Sequence, residues 1–208
     1  MTVLDDLDSL TRTMAADVRP HLATLDREGY VRFLDAMVHY TRGSGARLRH
    51  AATHAAEGEL QDFFGRLAEE EATHYVLAEA DLGALGSAPS ASPRDDVEAF
   101  HAWFMGSRDS AEWLGALYVL ENVASHLAAD VPPHLARLGL DRSQARFVLA
   151  HLTADAAHGA DTRAHASKAS GDLLTGARIA ARFWTKLHVD AFVLVPVVSR
   201  PSEQIQGL

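Results

Sequence analysis

At 208 residues, 48% apolar and 23% charged, the chain has the length and composition of one well-buried globular domain. Its net charge of −9 and the lack of any basic tract argue against nucleic acid or an anionic membrane as a partner. Cysteine is absent, which excludes disulfides, thiolate nucleophiles and cysteine-held metal or iron–sulfur centres.

The acidic start MTVLDDLDSL has no apolar core of the kind a secretory signal needs. The longest apolar run near the other end, AFVLVPVV, is far too short to span a bilayer. A cytoplasmic location is therefore expected. Histidine, at twelve residues, is the unusual component, and it is the commonest metal-ligating side chain.

Alternating apolar and polar residues are scarce, and helical periodicity dominates. A first helix is expected from about Asp5 to Val18, ended by Arg19-Pro20. A second runs from about Glu28 to His54, bent or loosened at Gly43-Ser44-Gly45. A third spans about Glu59 to Leu85 and stops at Gly86. SAPSASP reads as a loop, and Ser92-Pro93 with Asp95-Asp96 starts a fourth helix reaching about Met105. Ser110 caps a fifth, which runs to about Ala129 before Pro132-Pro133. Asp141 caps a sixth, through Ser143 to about Ala169, and a last helix covers about Leu173 to Leu194. The expected architecture is all-α: a single compact bundle of about seven helices over residues 1–208, with 199–208 a C-terminal tail.

Three of these helices carry acids or imidazoles where apolar side chains belong. Each helical residue advances about 100°, so His151, Asp155 and His158 of HLTADAAH point in one direction, beside Phe147, Val148 and Leu152. The small Ala150, Ala154, Ala156 and Ala157 allow another helix to approach closely. In the third helix the apolar stripe Leu60, Phe64, Leu67 continues as Glu71 and His74, then returns to Ala78. Glu-x-x-His is the spacing by which helix bundles of the di-iron carboxylate type present metal ligands. Glu70 also faces His74, at i, i+4, and is the alternative to Glu71. In the fifth helix Glu121 interrupts the stripe Leu114, Leu117, Ala124, Ala128. His126 sits about 140° around from Glu121 and belongs on the rim or surface.

Glu71, His74, Glu121, His151, Asp155 and His158 thus supply three carboxylates and three imidazoles. The three carboxylates would compensate most of the charge of two ferrous ions, and mixed N/O ligation suits iron or manganese that must meet dioxygen. A single zinc would use only three or four of the six. A buried salt-bridge network fits poorly, because none of the six is Lys or Arg.

LAEEEATHYVLAEADLGALG, LGALYVLEN and HLTADAAH, in that order, resemble the core segments of the haem-oxygenase-like di-iron oxidases and oxygenases, also described as iron-containing redox enzymes. The resemblance covers most of the chain, and its most specific element is H-x3-D-x2-H. It implies that Glu71, His74, Glu121, His151, Asp155 and His158 hold two Fe(II) ions, with O2 as co-substrate. Some members place the glutamate seven residues before the histidine, where this chain has Leu67; here the three-residue step applies. The implied reactions are N-oxygenation, oxidative C–C cleavage or decarboxylation, and desaturation of an amino-acid- or fatty-acid-like small molecule. The chemistry leaves room for an external electron donor, and a bundle of this size is compatible with a homodimer.

True haem oxygenases share the fold, but their distal helix continues into glycines where this chain has NVASHLAAD, and a proximal histidine would have to be His21. Thiaminase-like relatives use a cysteine, which is missing. A metal-free helical protein that binds a small molecule is the alternative of another class. Around the site, Tyr75 and Tyr118 are either hydrogen bonders to the ligands or core aromatics. Arg42, Arg47 and Arg49 would either bind a carboxylate or stand in solvent, the commoner outcome for arginine. His39, His101 and His188 are expected to be hydrogen-bonded core or rim residues.

Overall fold

The computed structural model describes residues 2–193, apart from the side chains at 155 and 156. Ten helices and no strand occur among the described residues: α1 (Val3–Thr24), α2 (Arg27–Arg42), α3 (Ser44–His54), α4 (Glu59–Glu71), α5 (His74–Ala84), α6 (Asp95–Gly106), α7 (Ser110–Leu127), α8 (Val131–Arg137), α9 (Arg146–Lys168) and α10 (Leu173–Phe192). The all-α expectation holds. The expected tail at 199–208, and the last helix's expected end at position 194, lie outside the described residues.

α7 is the hub, packed between α1, α9 and α10, while α2 lies on α5 and α10, and α3 lies along α4. Its apolar residues explain that position: Trp113, Leu114, Ala116, Tyr118 and Val119 are completely buried. Close packing there depends on two glycines. A Cβ on Gly115 would fall 1.8 Å from the Leu173 carbonyl oxygen, and one on Gly176 would fall 1.8 Å from that of Glu112. α7 and α10 therefore touch backbone to backbone.

Four helix boundaries differ from the sequence expectation. α1 does not stop at Pro20 but continues to Thr24. Pro20 is exposed, so the carbonyl it leaves unpaired faces water, and Val18, Leu22 and Leu25 form one buried stripe that holds the helix together. The expected 59–85 helix is two, broken at Ala72-Thr73. Pro132-Pro133 do follow the end of α7, yet they also begin the short α8, where the first turn needs no proline N–H. From α8, Arg137 donates to the Leu22 and Leu25 carbonyls at 3.1 and 2.8 Å and so closes the end of α1.

The fourth difference concerns α9, which begins at Arg146 and not at Asp141. Asp141 instead closes a turn on Ser143, accepting from its backbone N–H at 2.7 Å. No side chain of its own segment caps α9. The fully buried Asp81 of α5 does so, its Oδ2 accepting the Phe147 N–H at 2.8 Å. A carboxylate from one helix therefore fixes the start of another.

The glycine contacts give a direct stability test. Gly115→Ala and Gly176→Ala should each cost about 2 kcal/mol or more, because the added methyl meets backbone that cannot yield. Gly65→Ala, at a position in α4 with open space around it, should instead stabilise by roughly 0.5–1 kcal/mol. Denaturant unfolding midpoints for the three variants check both signs.

Candidate metal centre

The break between α4 and α5 is where the site forms. Glu71 is the last residue of α4 and His74 the first of α5. The turn between them brings His74 Nδ1 to 2.8 Å from Glu71 Oε2. Gly45 of α3 makes room for it, since a Cβ there would press on Ala72 Cα at 3.2 Å and on the Ala68 carbonyl at 3.3 Å. From the opposite side α9 brings His151, and ligand atoms of Glu71, His74 and His151 all lie within 4.8 Å of one another.

Glu121 and His158 join from α7 and α9. His158 Nδ1 is 3.3 Å from Glu121 Oε2 and 3.8 Å from Glu71 Oε1. This approach needs Gly159, whose Cβ would stand 2.7 Å from Asn122 Oδ1 and 3.3 Å from the Glu121 carbonyl oxygen. The structure thus gathers five of the six residues singled out in the sequence. The sixth, Asp155, lies on α9 between His151 and His158, and its side chain is outside the described residues.

The choice between Glu70 and Glu71 has a geometric answer. Glu71 is buried at 8% exposure and sits in the cluster, whereas the Glu70 side chain is 56% exposed. Glu70 still has a part, because its Oε2 is 2.8 Å from His158 Nε2. His158 therefore bridges a solvent-facing carboxylate and a buried one.

These surroundings set the charge states. Burial pushes the Glu121 carboxyl above its ordinary range, with His158 working against the shift. The Glu71 carboxylate raises His74, and burial lowers His151. The Glu121 carboxylate, together with Glu70, lifts His158 to about 9, so this imidazole carries a proton at neutral pH and supplies positive charge among the acids.

Two features fit a cation in this place. His74 Nδ1 is buried and, for all its nearness to Glu71, has no hydrogen-bond partner. Such a group is costly unless something else satisfies it. His151 Nδ1 lies 2.7 Å from the Phe147 carbonyl, which can only accept, so the proton is on Nδ1 and the Nε2 lone pair is free to ligate. Mixed imidazole and carboxylate donors are those of iron and manganese sites.

A family model described as iron-containing redox enzyme matches residues 31–191. The chain belongs to the iron-containing redox enzyme family. The match runs from the first turn of α2 to the last turn of α10 and takes in all six proposed ligand positions. Members of this family are described as redox enzymes, so the chain is an oxidoreductase at that level. Among curated protein sequences nothing matches.

Solved structures give the fold of this chain. A domain of unknown function with a heme oxygenase-like fold, from Shewanella denitrificans, superposes with a TM-score of 0.78 at 16% identity, over 91% of this chain and 90% of that one. A TenA homolog from Pseudomonas syringae pv. tomato gives a TM-score of 0.64 at 14% identity, over 90% and 88%. The fold of this redox enzyme is therefore haem-oxygenase-like. No helix among its described residues is long and apolar enough to cross a membrane.

Several neighbours take the structural roles foreseen for them. Tyr118 donates to Asp8 at 2.5 Å and meets Arg163, so it serves the α1–α7–α9 junction. The Tyr75 ring lies under the Arg42 guanidinium, 5.1 Å from its centroid. His126 is exposed, and the buried His188 donates from Nδ1 to the Trp184 carbonyl at 2.8 Å. Arg47 departs from expectation: it is buried, not solvated. Its signal was present in the helical stripe Ser44, Arg47, Leu48, Ala51, which the structure buries as one face.

Protonation of His158 has opposite effects on the metal-free protein and on metal uptake. Its raised pKa stabilises the metal-free fold fully below about pH 6.5, and that contribution fades as pH climbs towards about 9. For a metal bound through His158 that proton must leave, so affinity for Fe(II) should then rise by about tenfold per pH unit over this range. Thermal unfolding and anaerobic Fe(II) titration between pH 6 and 9 should show these opposing trends; parallel trends would exclude His158 as a ligand.

Proposed function

We propose that this protein is a non-haem di-iron oxidase or oxygenase that activates O2 to oxidise a small molecule. Glu71, His74, Glu121, His151, Asp155 and His158 would hold two Fe(II) ions. The observation that carries this reading is the convergence of Glu71, His74 and His151, from α4, α5 and α9, with ligand atoms all within 4.8 Å of one another. When bound, the ferrous pair supplies electrons and open coordination positions for O2, and a donor outside this chain restores those electrons.

The chain's own residues prepare the place for this chemistry. The Phe147 carbonyl fixes the His151 ring in one tautomer, and Asp81 fixes Phe147 by capping the first turn of α9. Glu71 and Glu121 bring negative charge to a site whose remaining wall is mostly apolar, which lowers the local dielectric and strengthens their hold on a cation. A cavity of about 180 Å³ opens beside them, lined by Glu71, Glu121 and His151 and by aromatic residues such as Phe33, Phe100 and Phe104. Its walls exclude water from whatever is oxidised there.

Substrates of amino-acid or fatty-acid type suit a cavity of this character, and N-oxygenation, oxidative C–C cleavage or decarboxylation, and desaturation are the reactions in keeping with it. Haem chemistry has less support: His21 does not line the cavity. A thiaminase-like arrangement with a cysteine nucleophile has no counterpart in a chain without cysteine.

Anaerobic reconstitution with Fe(II), followed by metal analysis and O2 uptake, tests the proposal. About two iron ions per chain are expected. Glu121→Gln and His151→Ala should each weaken iron binding by about 10- to 100-fold, on the scale seen when groups at metal sites are removed. Fewer than one iron per chain in the wild type, or unchanged iron content in both variants, would leave a metal-free binding protein as the better reading.

A further inference from the structure

The arginines around Gly43-Ser44-Gly45 differ sharply from one another. Arg42 pairs with Glu79, and Arg49, whose side chain is 56% exposed, lies 3.8 Å from Glu69. Arg47 is 3% exposed and pairs with no carboxylate among the described residues. Its Nη2 donates to the Tyr40 carbonyl and to Ser44 Oγ, each at 2.9 Å. The guanidinium lies over the Tyr40 ring at 4.6 Å and near the Phe100 ring at 5.6 Å. These contacts hold the side chain in place, and the nearest acid to act on it, Glu71, does so across the cavity and not as an ion pair.

A buried cation with no carboxylate at ion-pair distance is expensive unless an anion completes it. Burial does press its pKa downward, although arginine keeps its proton in any protein environment. Arg47 lines the same cavity as Glu71, Glu121 and His151, and the wall between is apolar. The planar fork of a guanidinium suits a carboxylate, which it grips with two parallel hydrogen bonds. Two nearby acids disfavour an anion of higher charge. The cavity, at about 180 Å³, is somewhat larger than the ~150 Å³ apolar cavity that takes up benzene.

We infer that Arg47 is the specificity-determining anchor for the carboxylate of a small, apolar monocarboxylic acid whose body fills the cavity beside the metal-site residues. This rests on the oxidase reading for its meaning as substrate recognition, but the anchor itself does not need iron. A fatty acid and an apolar amino acid share the recognised chemistry, so both are probed.

Calorimetric titration of the metal-free, full-length protein with octanoate, 2-aminooctanoate, 1-octanol and octylamine reads the anchor directly. Octanoate or 2-aminooctanoate should bind at least about tenfold more tightly than the alcohol and the amine. Whichever acid binds more tightly identifies the source. Arg47→Gln should weaken the acid by about 30-fold or more, while changing octanol binding by less than about threefold. Arg47→Lys, which keeps the charge but loses the fork, should fall between and guards against a folding defect in the glutamine variant. Equal binding of acid and alcohol to the wild type, no binding of either acid, or acid binding unchanged in both variants would overturn the anchor. Iron content is measured alongside: Arg47-dependent acid binding without iron uptake would sink the oxidase reading and leave the anchor standing, and the reverse result would do the opposite.

Discussion

A carboxylate moved out of water must find positive charge or give up its own, and this constraint organises the centre of the molecule. Glu71 and Glu121 sit among apolar side chains, and the groups facing them are imidazoles and not lysine or arginine ion pairs. A protonated His158 between Glu121 and Glu70 answers part of the demand. His74 Nδ1, 2.8 Å from Glu71 Oε2 but poorly aligned with it, answers the rest only weakly. Such an arrangement is poor as a source of stability and well suited to seizing a multivalent cation.

The fold serves this centre through backbone devices more than through side-chain bulk. The α4–α5 break, the close approach at Gly45 and Gly159, and the capping of α9 by Asp81 all act within one or two turns of a proposed ligand. The break sacrifices some regular helix, and all of these devices bring a proposed ligand towards the others. The rest of the bundle, built on α7 and its contacts with α1 and α10, is conventional packing and can absorb that cost. The neighbouring cavity has a second polar feature in Arg47, so an apolar chamber is bounded by acids and imidazoles and by a lone guanidinium.

Much of this was legible in the sequence because burial leaves a periodic trace. Glu71, His74, Glu121, His151 and His158 stood out as polar residues on apolar stripes, and the structure gathers them. The start of α7 fell within one residue of expectation, although Asp109, accepting from the Ala111 N–H, is its cap and not Ser110. What escaped depended on tertiary partners. Pro20 reads as a stop only until Leu22 and Leu25 are seen to be buried beyond it. Asp141 is a good local cap, yet α9 begins later because Asp81 of α5, 66 positions before the Phe147 N–H it accepts, supplies its cap. The Ala72-Thr73 break has no glycine or proline to announce it. Arg47 was weighed by the general habit of arginine when its own stripe pointed inward.

The central claim is that these acids and imidazoles are arranged for two cations. Diffraction from crystals of the Fe(II)-loaded protein, recorded on either side of the iron absorption edge, tests it most directly. The account predicts two anomalous peaks per chain, enclosed by Glu71, His74, Glu121, His151, Asp155 and His158. Peaks only at the surface, or an iron-free cluster whose imidazoles hydrogen-bond among the carboxylates as before, would contradict it.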